Sequence, residues 1–262
     1  MKNIASYTFL ALVFLFTACG DDNQEDINFG DEPANADLQT DNEADKFVKK
    51  IDEADLAFAN SLYYTREDGA SHEVTIFLND SNQVVKTVES YTLSDGGSIL
   101  TNVFYYNGNM KYVTREFFEE GEGENAVFVE RVTYYDEKGK PKAGKLRKAP
   151  YEDQLVTQFF EPTAAKDCSD RTAVRVLNQT GEFATNFQFF VQDEHLLYLI
   201  VGENKEDGYR SSLVVQRKGP VIQKLLQDEK GMVGTPLKVE FEKLTGDMGF
   251  EFQALMNVAF VE

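Results

Sequence analysis

The sequence predicts a mainly β protein, and its composition and patterning both point to this class. The chain of 262 residues contains 21 Phe and 12 Tyr but no Trp, and aromatic side chains suit the pleated surface of a sheet. From Gly69 onward, short apolar and aromatic segments alternate with polar turns. We expect an N-terminal helix, an antiparallel hairpin-repeat sheet and a small C-terminal β-barrel-like unit.

The N-terminal helix is predicted from apolar residues that recur at helical spacing. These residues are Phe47, Ile51, Phe58 and Leu62, with Val48 and Ala54 between them. Asp41 or Asn42 could cap the helix, and acidic residues in the first turn favour its start. The apolar face predicts packing against the sheet that follows.

Three segments form a weak internal repeat: "TIFLNDSNQVV", "VFYYNGNMKYV" and "VTYYDEKGKPK". The spacing is 28 residues from Leu78 to Tyr106 and 29 residues from Tyr106 to Tyr135. Each segment has an apolar or aromatic strand, a turn of Asn, Asp or Gly, and a returning strand. This pattern predicts three β-hairpins within an antiparallel meander over residues 70–160.

The predicted strands carry apolar or aromatic groups on both faces. Phe104 and Tyr106 share one face of their strand, whereas Val103 and Tyr105 share the other. Either both faces are covered, which is the expectation, or one face presents aromatic residues such as Tyr105 and Tyr134 to a ligand.

The C-terminal segment follows a different pattern. "LLYLIV" at residues 196–201 and "LVV" at 213–215 are typical of buried strands, and Gly219-Pro220 favours the start of a helix. Alternating residues from Leu237 and a final apolar run predict two more strands. This order resembles an OB-like barrel in topology only, so we expect a meander domain over 46–165 and a barrel-like domain over 166–262.

The first residues indicate export. A short positive start and the apolar run from Ile4 to Phe16 have the proportions of a signal peptide. Phe16-Thr17-Ala18-Cys19 follows, and here the chain resembles bacterial lipoprotein precursors of the Bacteroidetes type, although Phe16 replaces the preferred leucine. The resemblance implies that residues 1–18 are removed and that Cys19 is lipidated. The alternative is an ordinary cleaved signal peptide with an incidental cysteine.

Residues 19–45 are predicted to form a disordered tether. They contain ten acidic and no basic residues, and uniform charge with few apolar groups disfavours folding. Acidic residues directly after the lipidated cysteine resemble the signal that directs such lipoproteins to the cell surface, and a plain solubilising linker is the alternative. We therefore predict an outer-membrane lipoprotein, anchored by lipid and acting at the inner or outer face. The net charge of −19 disfavours nucleic-acid binding.

No catalytic, metal or cofactor motif was found in the sequence. The two histidines, His72 and His195, lack ligand neighbours and are expected at strand starts or on the surface. "EEGEGEN" at residues 119–125 suits a solvated hairpin tip better than a Ca²⁺ site. Cys168 is expected to be a buried free thiol. We predict no cofactor and no metal site.

One basic run stands out in this acidic chain. Six positive residues lie within "KGKPKAGKLRK": Lys138, Lys140, Lys142, Lys145, Arg147 and Lys148. They could contact phosphates of lipopolysaccharide, an acidic partner or the protein's own tether. Alternatively, lysines protect a solvated edge strand from pairing with other sheets.

These features favour a non-enzymatic binding or interaction module with an envelope protein or glycan as partner. Two alternatives stay open: a carboxylate-dependent enzyme such as a glycan hydrolase, and a scaffold component of an envelope complex. The hydrolase requires two carboxyl groups that converge in a cleft about 5–9 Å apart.

Overall fold

The computed structural model of the chain describes residues 42–94, 97–121, 123–193, 195–246 and 249–261. Within these ranges, fourteen strands form one sheet that is accompanied by three α-helices. The predicted mainly β class with an N-terminal helix is confirmed. The helices are α1 (Asn42–Asp52), α2 (Arg171–Asn178) and α3 (Pro220–Gln227). The strands are β1 (Ala57–Asn60), β2 (Tyr64–Thr65), β3 (Ser71–Leu78), β4 (Val84–Thr92), β5 (Leu100–Asn107), β6 (Met110–Glu120), β7 (Val127–Tyr135), β8 (Pro141–Ala149), β9 (Glu161–Thr163), β10 (Asn186–Gln192), β11 (Leu197–Gly202), β12 (Arg210–Val215), β13 (Leu237–Thr245) and β14 (Glu251–Phe260).

The predicted meander is the centre of the sheet. Strands β3 to β9 follow one another in chain order, each antiparallel to the next. The sheet continues from β3 through β2 and β12 to β11 and β10. β1 pairs with β3, while β14 pairs with β12 in parallel and with β13 in antiparallel orientation.

All three repeat segments are hairpins, and two of them have the same turn. Asn79 Oδ1 accepts the backbone N–H groups two and four residues later, at 3.0 Å each. Asp136 Oδ1 does the same in the third hairpin, at 2.8 and 2.9 Å. Three residues after each capping side chain, Asn82 and Gly139 adopt positive φ angles of 58° and 71°. The repeat therefore encodes a turn as well as strands.

The N-terminal helix is shorter than its apolar spacing predicted. α1 ends at Asp52, and Phe58 lies on strand β1, where it pairs with Phe77 of β3. Carboxylates at Asp52, Glu53 and Asp55 oppose the helix dipole at a C-terminus, which explains the termination. The start also differs, because residues 42–45 of the predicted tether are helical.

The C-terminal strands and α3 lie where the sequence predicted them, but the expected barrel is wrong. Its strands belong to the open sheet, which does not close on itself. The reason is that two strands far apart in the sequence pair with each other: Arg210 of β12 pairs with Thr65 of β2. This pairing makes the C-terminal strands an extension of the meander. Helix α2 has no counterpart in the sequence prediction.

Both faces of the meander are covered, as expected. On one face, Ala44 and Val48 of α1 pack against a cluster that includes Val103, Tyr105 and Tyr134. The other face contributes Phe104 to the larger core, with α2, α3 and the C-terminal strands. We call these surfaces the α1 face and the α2 face of the sheet.

Candidate functional site

A cavity of about 420 Å³ lies on the α2 face, at the side of the meander nearest β2. Its lining comes from β3, β4 and β5, from the segment around α2, and from residues beside β2 and β12. At its rim, Leu93 and Ser94 lie in the loop after β4 and are exposed. We call it the His72–Glu89 cavity, after its two most unusual residues.

Glu89 is a buried acid in this cavity, and no described residue forms an ion pair with it except the uncharged His72. It is 2% exposed, and the side chain lies on the α2 face because residues alternate along β4. Its Oε2 accepts a hydrogen bond from Asn102 Nδ2 at 3.0 Å, whereas Oε1 has no hydrogen-bond partner in the described part of the chain. Burial raises the pKa of Glu89, and the hydrogen bond from Asn102 opposes that rise only in part.

His72 stands beside Glu89 without forming a hydrogen bond to it. Its Nε2 is 3.7 Å from Glu89 Oε1, and its Nδ1 is buried without a hydrogen-bond partner among the residues that the structure describes. Burial lowers the pKa of His72 to about 4. The imidazole is therefore uncharged at neutral pH and cannot neutralise the carboxylate.

Aromatic rings surround His72. Tyr91 stacks on the imidazole with 5.1 Å between ring centroids, and the rings of Phe183 and Tyr209 follow at 5.3 and 5.6 Å. The guanidinium of Arg66 lies 5.2 Å from the centroid of the Tyr209 ring. The cavity thus has aromatic walls, and one of them, the Tyr209 ring, already accepts a cation.

The other charged groups near the cavity are paired. Arg66 Nε donates to Asp68 Oδ1 at 3.1 Å, and Arg175 Nη2 donates to Glu182 Oε1 at 2.7 Å. Burial alone would raise the pKa of Glu182, but the hydrogen bonds and charge of Arg175 hold it below its usual value. Two acids of one cavity therefore have pKa values shifted in opposite directions.

Two residues of the predicted basic patch lie inside the protein. Lys145 is 5% exposed and its Nζ is 3.3 Å from both carboxylate oxygens of Asp45 in α1. Arg147 is 4% exposed and donates through Nε to Glu130 Oε2 at 2.7 Å. Asp45 was counted as the last acid of the predicted tether, but it lies in α1. This contact therefore attaches the helix to β8 and does not test whether the basic run binds the tether.

The remaining basic residues lie on the surface. Lys138 and Lys140 belong to the turn that Asp136 caps, and Lys142 is exposed at the start of β8. Lys148 forms an ion pair with Glu120 of β6. The alternative treated this segment as an edge strand. Part of β8 is not an edge, because β9 pairs with it.

Tyr105 and Tyr134 are also inside the protein, 1% and 0% exposed. The Tyr105 hydroxyl donates to Asp52 at 2.9 Å and the Tyr134 hydroxyl donates to Asp45 at 2.6 Å. Both tyrosines therefore attach α1 to the sheet. Neither of them lines the His72–Glu89 cavity.

The structure also shows the positions of Cys168, the acidic run and His195. Cys168 is a buried free cysteine, as expected, and burial raises the pKa of its thiol. "EEGEGEN" lies at the connection between β6 and β7, and His195 is exposed beside Asp193. Among the residues that the structure describes, no group of three potential ligands could hold a metal ion.

Cys19, the predicted lipidation site, and the signal peptide lie outside the described residues. In the part of the chain that is described, no helix has the length and apolar character needed to cross a bilayer.

No protein-family model, curated protein or solved structure matches this chain.

Sequence reasoning did not find Glu89 or Asn102, and it gave His72 only a strand-start role. His72 is the second residue of β3, but its side chain is 13% exposed and lines the cavity. The sequence did contain one indication of this site. Glu89 lies at two-residue spacing from Thr87 and Tyr91, and Val85 continues the series, so the acid shares a strand face with apolar and aromatic groups.

Proposed function

We propose that this protein is a lipid-anchored protein of the outer membrane whose folded part binds a small molecule in the His72–Glu89 cavity without changing it chemically. One observation carries the proposal: the cavity combines aromatic walls with two buried polar atoms, Glu89 Oε1 and His72 Nδ1, that have no hydrogen-bond partner in the described ranges. Unpaired buried polar groups destabilise a fold, and a bound ligand can satisfy them.

The size and lining of the cavity support binding. Small-molecule sites are typically concave, on the order of 300–1,000 Å³, and lined by aromatic groups with a few fixed polar atoms. The volume here is about 420 Å³. Glu89, His72 and Asn102 would supply the fixed polar atoms, and they stand on neighbouring strands whose register holds them in place.

Binding is tested with a ligand-observed NMR screen of amines, sugars, carboxylic acids and neutral aromatics. Ser94→Trp places a large side chain at the exposed rim and is expected to weaken every genuine binding signal. Ser81→Trp, in the exposed turn after β3, is the matched control and should leave the signals unchanged. A screen in which no class binds, or in which Ser94→Trp and Ser81→Trp behave alike, contradicts a binding cavity.

Anchoring rests on the lipobox-like residues Phe16 to Cys19. Acyl chains contribute about 0.8 kcal/mol per buried methylene, and two chains suffice for stable attachment. Cys19→Ser is expected to move the protein from the membrane fraction to the soluble fraction. Cys168→Ser should stay with membranes, because this thiol is buried. If Cys19→Ser remains with membranes, the anchor is wrong, and protease added to intact cells separates the two faces.

A carboxylate-dependent hydrolase is the second candidate, favoured by the opposed pKa shifts of Glu89 and Glu182. Environments that push two pKa values apart are typical of acid–base pairs. In that case Glu89, with the raised pKa, would be the acid. Release of reducing ends from envelope glycans by the wild type, and its loss in Glu89→Gln, would support this candidate over simple binding.

A further inference from the structure

We infer that the ligand of the His72–Glu89 cavity is a small organic amine that binds as its ammonium ion, with the nitrogen at Glu89 and the hydrocarbon part against the aromatic rings. This inference rests on the proposed binding function. Three features of the described cavity carry it: a buried acid without an ion-pair partner, an unpaired carboxylate oxygen and an aromatic wall that already accepts a cation.

The first feature is charge. Glu89 is almost fully buried, and the nearest basic group within ion-pair distance among the described residues is His72, at 3.7 Å. His72 is neutral at pH 7, and the charge of Arg175 offsets the effect of burial on Glu89 only in part. Glu89 therefore has no ion-pair partner among the described residues. A buried charge without a counter-charge is costly. A cationic ligand removes that cost, whereas a neutral sugar does not.

The second feature is hydrogen bonding. Among the described residues, none donates a hydrogen bond to Glu89 Oε1. His72 Nε2 is too far from it, at 3.7 Å, to do so. A carboxylate oxygen can only accept, so the ligand must supply a donor at this position. A primary ammonium group has three N–H donors, while a quaternary ammonium group has none.

The third feature is the aromatic wall. The ring centroids of Phe183 and Tyr209 lie 4.8 Å apart, and Tyr91 stacks on His72 at 5.1 Å. Arg66 over Tyr209 shows that a cation is stable against this wall. The charge of Arg66 is matched by Asp68, so it does not compensate Glu89. The rings also fit the carbon skeleton of an amine.

The experiment compares three probes of the same shape: 2-phenylethylamine, 2-phenylethanol and 3-phenylpropanoate. Isothermal titration of the full soluble chain from residue 20 at pH 7.5 is expected to give binding of the amine about 10–100-fold tighter than the alcohol, the range of one charge-assisted hydrogen bond. The carboxylate should not bind. Equal affinities for amine and alcohol, or preference for the carboxylate, would overturn the inference.

Two variants locate the effect. Glu89→Gln should reduce amine affinity to that of the alcohol. Glu116→Gln is the matched control, because Glu116 is a partly buried acid on the same face, pairs with Arg131 at 3.6 Å and does not line the cavity. It should keep the amine preference. Amine binding that survives in Glu89→Gln contradicts the inference.

Failure of this inference is distinguishable from failure of the proposed function. If sugars or acids bind in the NMR screen and Ser94→Trp weakens them, the binding function stands and the amine is wrong. If no probe and no screened class binds, both are wrong. The comparison of amine with alcohol on the wild type remains decisive even if Glu89→Gln does not fold.

Discussion

The two faces of the meander each bury a glutamate, and the two acids have opposite surroundings. On the α1 face, Glu130 is 0% exposed and lies between Arg115 and Arg147, whose Nε atoms donate to it at 2.7 Å each. On the α2 face, Glu89 accepts a hydrogen bond from the amide of Asn102 and faces the neutral imidazole of His72, with no ion-pair partner among the described residues. The same meander therefore buries one acid that is neutralised, Glu130 on β7, and one that is not, Glu89 on β4.

The difference separates architecture from function. The Arg115–Glu130–Arg147 triad satisfies its central carboxylate on both oxygens, and Arg115 also lies 3.8 Å from Asp52 of α1. Such a network fixes how strands and helix sit together. Glu89 contributes no comparable contact, so its burial costs stability unless a ligand is bound.

The triad should be the most sensitive point of the fold. Glu130→Gln removes the counter-charge of the buried Arg147 and leaves Arg115 with only the more distant Asp52. Removing one partner of a buried ion pair costs about 3–5 kcal/mol. We expect a loss of that size in the free energy of unfolding, measured by urea denaturation. Glu137→Gln, in an exposed turn, should stay within about 0.5 kcal/mol of wild type. A loss below about 1 kcal/mol in Glu130→Gln would show that the triad is not the most sensitive point of the fold.

The attachment of α1 should respond next. Asp45→Asn removes the charge that faces buried Lys145 and weakens the hydrogen bond from Tyr134. The expected loss is about 2 kcal/mol, with faster hydrogen exchange in α1 than in β5. Asp55→Asn, exposed after the helix, is the control. Unchanged exchange in α1 would show that these contacts do not hold the helix.

The cavity should give the protein an acid-sensitive component of stability. His72 has a folded-state pKa of about 4, below its ordinary value of 6.5, because it is buried. Between these values the unfolded chain binds a proton that the folded chain does not, so this contribution is present above pH 6.5 and is lost as the pH falls toward 4. His72→Phe should lose about 1–2 kcal/mol less than wild type between pH 7 and 4.

Urea denaturation over that pH range measures the difference. The raised pKa of Glu89 acts with the opposite sign, since protonation of the folded state stabilises it as the pH falls, but Glu89 is present in both proteins. Parallel curves for wild type and His72→Phe would show that His72 is not buried as a neutral base.

Local features of the fold could be predicted from the sequence, whereas long-range pairings could not. The hairpins follow from Asn79 and Asp136, whose side chains organise turns within a few residues. The pairing of Thr65 with Arg210 joins distant segments, and no local pattern announces it. The same limit hid the cavity, because Glu89, Phe183 and Tyr209 come from separate parts of the chain. The basic run was recognised, but its burial depended on Asp45 and Glu130 elsewhere in the fold.

The most direct test is the free energy of unfolding of Glu89→Gln at pH 8, without ligand. The amide keeps the shape of the side chain and removes the unneutralised charge. We expect Glu89→Gln to be more stable than wild type by about 0.5–1.5 kcal/mol, with the gain shrinking as acid protonates Glu89. A structural acid gives the opposite sign, as Glu130→Gln should. A loss of 1 kcal/mol or more in Glu89→Gln would contradict the account.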